Sequence, residues 1–187
     1  MKKHVLFGAD RSSAGRAAAD WAALRAGNLG LMLAFEPKEP EIMSRPPRAP
    51  ERPLLTKALT LRTLLVSALL VAGASWIFEW ELAHGASLAE ARTAAVNLFV
   101  VVEIFYLFSC RSLTQAAWKL GPFSNPWIVV GVSTQVAAQL ALTYVPAMNA
   151  IFHTAPVRPE ALPWILLIGL VASFIVGIDK RLRRGAI

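Results

Sequence analysis

Four stretches along the second half of the chain carry almost nothing but apolar side chains, and each is close to the length a bilayer demands. They run at about 58–80, 91–110, 127–144 and 162–178. A helix rises 1.5 Å per residue, so roughly 20 apolar residues cross a hydrocarbon layer about 30 Å thick. The first stretch has an uncharged core from Thr63 to Phe78, with Lys57 and Arg62 placed to snorkel at one end and Trp76 and Trp80 at the other interface. The third is bounded by Trp127 and Tyr144, and the fourth opens with Pro163 in its first turn and closes on Asp179 and Lys180. The pattern predicts an all-α membrane protein, a bundle of four transmembrane helices.

The segment ahead of these stretches reads differently. Residues 1–28 are basic and alanine-rich, and the apolar run Val5 to Phe7 is too short for the core of a secretory signal, so no cleavable targeting peptide is expected. The run Leu29 to Phe35 would span only roughly 10 Å as a helix and cannot cross a bilayer alone. Residues 36–57 hold six prolines among charged residues, a composition that breaks helices and favours an extended linker. The expected organisation is therefore an extension at 1–28, a short apolar piece with a proline-rich loop at 29–57, and the membrane region at 58–184.

Composition sharpens this reading. Hydrophobic residues make up 56% of the chain and charged residues 17%, with a mean hydropathy of +0.50. That apolar excess is too large for one small soluble core. A net charge of +7 would suggest nucleic acid in a soluble protein. Here the basic residues flank apolar runs, so they read as topology signals and headgroup contacts, with the lipid bilayer as partner and no nucleic acid. Six Lys or Arg precede or open the first stretch (Lys38, Arg45, Arg48, Arg52, Lys57, Arg62), two lie at 111–119 and four in the tail, against Arg92 and Arg158 in the other two connections. The asymmetry predicts a multi-pass protein of the plasma (inner) membrane, with the proline-rich loop, the middle connection and the C-terminus in the cytoplasm.

Few residues carry candidate chemistry. Glu103 interrupts the second stretch, and an acid at that depth costs a few kcal/mol to insert unless it meets a partner or a water-filled path. It reads as a cation ligand or proton site, or equally as a hydrogen-bonded carboxyl packed on Gln135 or Gln139 of the next span. Those two glutamines, one turn apart, suit interhelical hydrogen bonds. Gly169, Ser173 and Gly177 recur every four residues on the last stretch, a small-residue stripe for close helix packing within the bundle or onto a partner. Cys110 is the single cysteine, so no intrachain disulfide is expected, and the three histidines are scattered. No phosphate-binding glycine loop and no Asp-Lys-Thr-Gly-Thr phosphorylation sequence occurs in residues 1–187.

One run is recognisable. ARTAAVNLFVVVEIFYLFSCRSL at 91–113 resembles the eighth transmembrane helix of P-type cation pumps of the calcium-pump-like class. LAFEPKEPEIMSRPPR at 33–48 is similar to the end of the sixth helix and the loop after it, YVPAMNAIFHTAPV at 144–157 to the loop between the ninth and tenth helices, and DKRLRR to the basic tail. The resemblance covers about 29–184 and implies that the four spans correspond to helices seven to ten of such a pump. It places the family's eighth-helix carboxylate on Glu103. Asn and Asp ligands of the sixth helix would fall near Ala22 and Ala26, which cannot coordinate a cation, and Ser109 stands where these pumps often have Asn. The resemblance implies a membrane region that supports ion-binding helices supplied elsewhere, without phosphorylation or nucleotide sites of its own. In that family ATP and magnesium serve the catalytic domains; no cofactor is expected on this chain. The similarity begins abruptly inside a helix, as a truncated or rearranged pump gene would leave it. The alternative is a small interaction subunit that docks on a pump or another membrane protein, and a small independent ion channel or carrier using Glu103 is a third possibility.

Overall fold

The computed structural model describes residues 30–36, 57–111 and 124–182. The extension at 1–28 and most of the proline-rich loop lie outside the described residues. Among the described residues five helices follow residue 56: α1 Lys57–Ala83, α2 Leu88–Cys110, α3 Pro126–Tyr144, α4 Pro146–Phe152 and α5 Ala161–Leu182. Four of them, α1, α2, α3 and α5, are long and apolar enough to cross a membrane. The described residues thus form the expected all-α, four-span bundle, with a short helical turn at 30–33 ahead of it.

Local chemistry sets the helix ends. Ser87 caps α2 through a reciprocal pair in which the Glu90 amide donates to Ser87 Oγ at 3.3 Å and the Ser87 amide donates to Glu90 Oε2 at 2.7 Å. This capping box starts α2 at Leu88, three residues before the apolar run. Between α1 and α2 the chain reverses at Gly85, whose φ of +83° suits a residue without Cβ. Asn125 caps α3, its Oδ1 accepting from the Trp127 amide at 3.0 Å, with Pro126 in the first turn where it forfeits no helical hydrogen bond.

The 144–157 stretch, read from the sequence as a loop, contains α4. Pro146 opens this two-turn helix and His153 ends it in the left-handed region at φ 52°. Thr154 then turns back and donates from Oγ1 to the Leu142 carbonyl at 2.9 Å, satisfying a backbone acceptor at the end of α3.

Helices α1, α2 and α5 pack around one apolar core built from Ala74, Ile77, Ala94, Ala95, Leu98, Val102, Ile165 and Ala172. The alanines are the reason the helices approach closely: without a solvent-driven force between spans, small residues let backbones and side chains interlock. Gly73 does the same, since a Cβ there would meet Ile168 Cγ2 at 2.9 Å. The opposite faces carry large exposed apolar side chains, among them Leu64, Val71, Leu166, Leu170 and Phe174, the last 70% exposed. Such a surface is at home in hydrocarbon and would be an aggregation liability in water.

Helix α3 joins this unit along α2. Leu107 of α2 and Ile128 of α3 form a second buried contact, completed by Met32, Leu33, Phe108 and Val132. Gly131 makes room for Met32: a Cβ on the glycine would lie 2.5 Å from Met32 Cγ. The 30–36 segment is thereby seated on α2 and α3.

Candidate functional site

Three groups of polar side chains tie segments of the bundle together. At the end where α1 begins and α5 closes, Arg62 Nε stands 3.2 Å from Asp179 Oδ2, with both side chains almost fully buried. Lys180, also buried, donates from Nζ to the Ser109 carbonyl in the last turn of α2 at 2.9 Å. Arg62 therefore does not snorkel to the interface as its position suggested; Asp179 meets it inside. Arg62 Nη2 is buried and has no hydrogen-bond partner among the described residues.

Near the same end a second network clamps the 30–36 segment. Arg111 donates to Glu36 Oε1 from Nη2 at 2.7 Å and from Nε at 3.0 Å, and Nη2 also reaches Ser124 Oγ. Asn125 donates from Nδ2 to Glu36 Oε2 at 2.9 Å and toward the Met32 carbonyl at 3.4 Å. Phe35 packs on Trp127 with ring centroids 5.1 Å apart. Burial pushes the Glu36 carboxyl up, but the hydrogen bonds from Arg111 and Asn125, with the Arg111 charge, outweigh it and hold the group below its ordinary value of 4.5.

The third group lies on the α2–α3 seam farther along. Asn97 donates from Nδ2 to Thr143 Oγ1 at 3.2 Å and to the Thr93 carbonyl at 2.9 Å. Thr143 Oγ1 donates to the Gln139 carbonyl at 2.8 Å, and Gln139 Nε2 reaches Thr143 Oγ1 at 3.5 Å. Thr93 Oγ1 accepts from the Ala155 amide at 3.0 Å, tying in the chain after α4.

Each residue singled out from the sequence has a place in this frame. Glu103 is half-buried on α2. Gln135 and Gln139 are both buried on the side of α3 that also carries Ile128 and Gly131. Gln139 joins the Thr143 network, whereas Gln135 Nε2 has no hydrogen-bond partner among the described residues. Gly169 is filled from within the bundle: a Cβ there would meet Val101 Cγ1 at 2.6 Å and Phe105 at 3.2 Å. Ser173 is half-buried, and Gly177 has nothing within 4 Å of a built Cβ. Among the described residues no three His, Cys, Asp or Glu side chains gather closely enough to hold a metal ion. Sequence reasoning missed Asn97, Thr143 and Thr93 as the seam's cross-link. The polar pair Thr93 and Asn97, four apart on one apolar helix, was the available signal.

Apolar helices of spanning length, lipid-compatible outer faces and polar groups turned onto one another define a multi-pass α-helical membrane domain. Its identity follows from comparison with known proteins. The sequence model of the family described as cation transporting ATPase, C-terminus, matches residues 25–182, and the chain belongs to this family. It is 61% identical over 156 residues to the probable cation-transporting ATPase F of Mycobacterium tuberculosis, which covers 83% of this chain and 17% of that protein. It is 34% identical over 145 residues to the calcium-transporting ATPase type 2C member 2 of Mus musculus, covering 77% of this chain and 15% of the mouse protein. A cation-transporting ATPase of Synechocystis is 37% identical over 135 residues, 66% of this chain and 14% of the relative. The chain thus spans about one sixth of the length of these relatives and corresponds to their C-terminal membrane region.

Proposed function

We propose that the chain serves cation transport as a supporting membrane domain: its helices brace the ion-binding helices of a P-type ATPase while phosphorylation, ATP and magnesium binding fall to other parts of the pump. The observation that carries this reading is how the interior polar groups are used. Arg62 with Asp179, Lys180 with Ser109, Arg111 with Glu36, and Asn97 with Thr143 each tie one segment to another, the arrangement a brace requires. In this reading the protein resides in the plasma (inner) membrane with its basic helix ends and C-terminus in the cytoplasm, as the distribution of Lys and Arg favours. In the same reading its partners are lipid and the remaining helices of a pump, and Glu103 is the residue that contributes to a cation path.

A role as a separate subunit docking through Gly169, Ser173 and Gly177 has less support, because Val101 and Phe105 already occupy the surface over Gly169. The test is reconstitution. Purified chain in proteoliposomes should neither release phosphate from ATP nor pass cations. Co-expressed with a related pump whose own last four helices have been deleted, it should restore ATP-driven cation uptake. ATP turnover by the isolated chain, or no restoration despite proper insertion, would defeat the proposal. In the restored pump, Glu103→Gln should reduce uptake; uptake equal to the parent removes Glu103 from the path.

A further inference from the structure

At the end of the bundle remote from Arg62 and Lys180, α1 presents a stripe of fully buried residues, Ala74, Ile77 and Glu81, spaced to face the core. Glu81 is the acid that ends this stripe. It is 0% exposed, and neither carboxylate oxygen has a hydrogen-bond partner among the described residues. Four charged or titratable groups surround it: His84 just past α1, Glu90 on α2, and Arg158 and Glu160 ahead of α5.

The nearest cation is poorly committed to it. Arg158 Nη1 lies 3.7 Å from Glu81 Oε2, beyond hydrogen-bond distance. The same Nη1 donates to the His84 carbonyl at 2.9 Å, while Arg158 Nε lies 3.7 Å from Glu160 Oε2. One guanidinium is thus divided between a backbone carbonyl and two carboxylates, of which Glu160 is largely exposed and has water to solvate it. Glu90 is engaged with Ser87 and adds a further like charge. His84 turns its Nδ1 to the Trp80 carbonyl at 2.7 Å and stacks on the Trp80 ring, so it offers Glu81 no donor from that nitrogen.

A carboxylate removed from water with no donor on either oxygen is far more expensive than a missing hydrogen bond, and such groups neutralise rather than remain charged. We propose that Glu81 is a proton-binding site: the closed arrangement holds the neutral acid beside the core, and release of the proton draws Arg158 off the His84 carbonyl and Glu160 onto the carboxylate. The proton arrives from and returns to water at this end of the bundle. Because Arg158 belongs to the chain between α4 and α5, occupancy of the site sets how that connection closes over α1. The inference does not depend on the supporting role proposed above, since Glu81 takes part in none of the contacts used there.

Infrared difference spectroscopy of the full chain in detergent tests it. At neutral pH the wild type should show the carbonyl stretch of a neutral carboxylic acid, absent from Glu81→Gln and retained in Arg158→Met. Glu81→Gln reproduces the shape of the neutral acid and should keep the wild-type melting temperature. Absence of the band from the wild type would overturn the proposal. So would a fall in melting temperature for Glu81→Gln that matches Arg158→Met and is not additive in the double variant, because that is the signature of an ionised pair.

Discussion

Arg62 in the second turn of α1 and Asp179 near the end of α5 meet at 3.2 Å across 117 residues of sequence, joining the first span to the last. Removing either partner leaves an uncompensated charge in an apolar setting, at a cost of about 3–5 kcal/mol, whereas exchanging both for apolar groups of similar volume is often neutral. Arg62 Nη2, already without a partner among the described residues, makes the apolar exchange still easier. We expect Arg62→Met and Asp179→Leu each to lower the melting temperature sharply in detergent, and the double variant to recover most of the loss. A double variant as unstable as the worse single one would show that the pair contributes more than charge compensation.

Glu36 should give the protein an acid-side weakness. Its carboxyl is held below 4.5 in the folded chain by Arg111 and Asn125 despite the opposing effect of burial. A folded value below the unfolded one means that the unfolded chain binds the extra proton, so the stabilisation is fully present above about 4.5 and fades as pH falls through the lower folded value. Glu36→Gln should therefore be less stable than wild type at neutral pH, with the gap closing in acid. Melting temperatures measured from neutral to acidic pH check this, and a gap that is constant with pH would assign the loss to packing instead.

How much of this arrangement could be read in advance depends on the distance over which each feature is encoded. The four spans were legible because bilayer thickness fixes their length and each is local in sequence. The capping box at Ser87 and Glu90 was equally local, yet it sits outside the apolar run, and attention to hydropathy alone started α2 three residues late. Helix α4 escaped because seven residues, opened by Pro146 and ended by His153, carry too little periodicity to separate a helix from a loop. The Glu36–Arg111 clamp and the Asn97–Thr143 bond join residues 75 and 46 positions apart, and nothing in a single sequence pairs them. Arg62 shows the same limit: its position fits snorkelling until the fold brings Asp179 beside it.

The α2–α3 seam offers a test of whether membrane burial strengthens a side-chain hydrogen bond. Asn97 bridges Thr143 and the Thr93 carbonyl, and interhelical bonds of this kind contribute about 0.6 kcal/mol on average and up to about 1.7 kcal/mol. Asn97→Ala and Thr143→Ala should each cost about 1 kcal/mol in unfolding assays in mixed micelles. Their losses should overlap in the double variant, since the two side chains share one bond. Full additivity would mean that each side chain acts through other neighbours.

Gly169 and Gly177, identical in type and two helical turns apart, should respond oppositely to a single methyl group. A Cβ at 169 would fall 2.6 Å from Val101 Cγ1, closer than real contacts allow, and Phe105 at 3.2 Å blocks the other side. Overpacking of this sort typically costs about 1–3 kcal/mol. At 177 a Cβ has open space, so Gly177→Ala keeps its surroundings while gaining the better helix propensity of alanine, roughly 1 kcal/mol in a helix interior. We therefore expect Gly169→Ala to lower the melting temperature and Gly177→Ala to hold or raise it. The comparison also separates packing inside this bundle from docking outside it. If Gly177→Ala leaves stability intact but abolishes restoration of a helix-deleted pump, then the open surface beside Gly177 is where the rest of the pump rests; equal loss of stability and restoration at Gly169 alone assigns the stripe to the bundle's own interior.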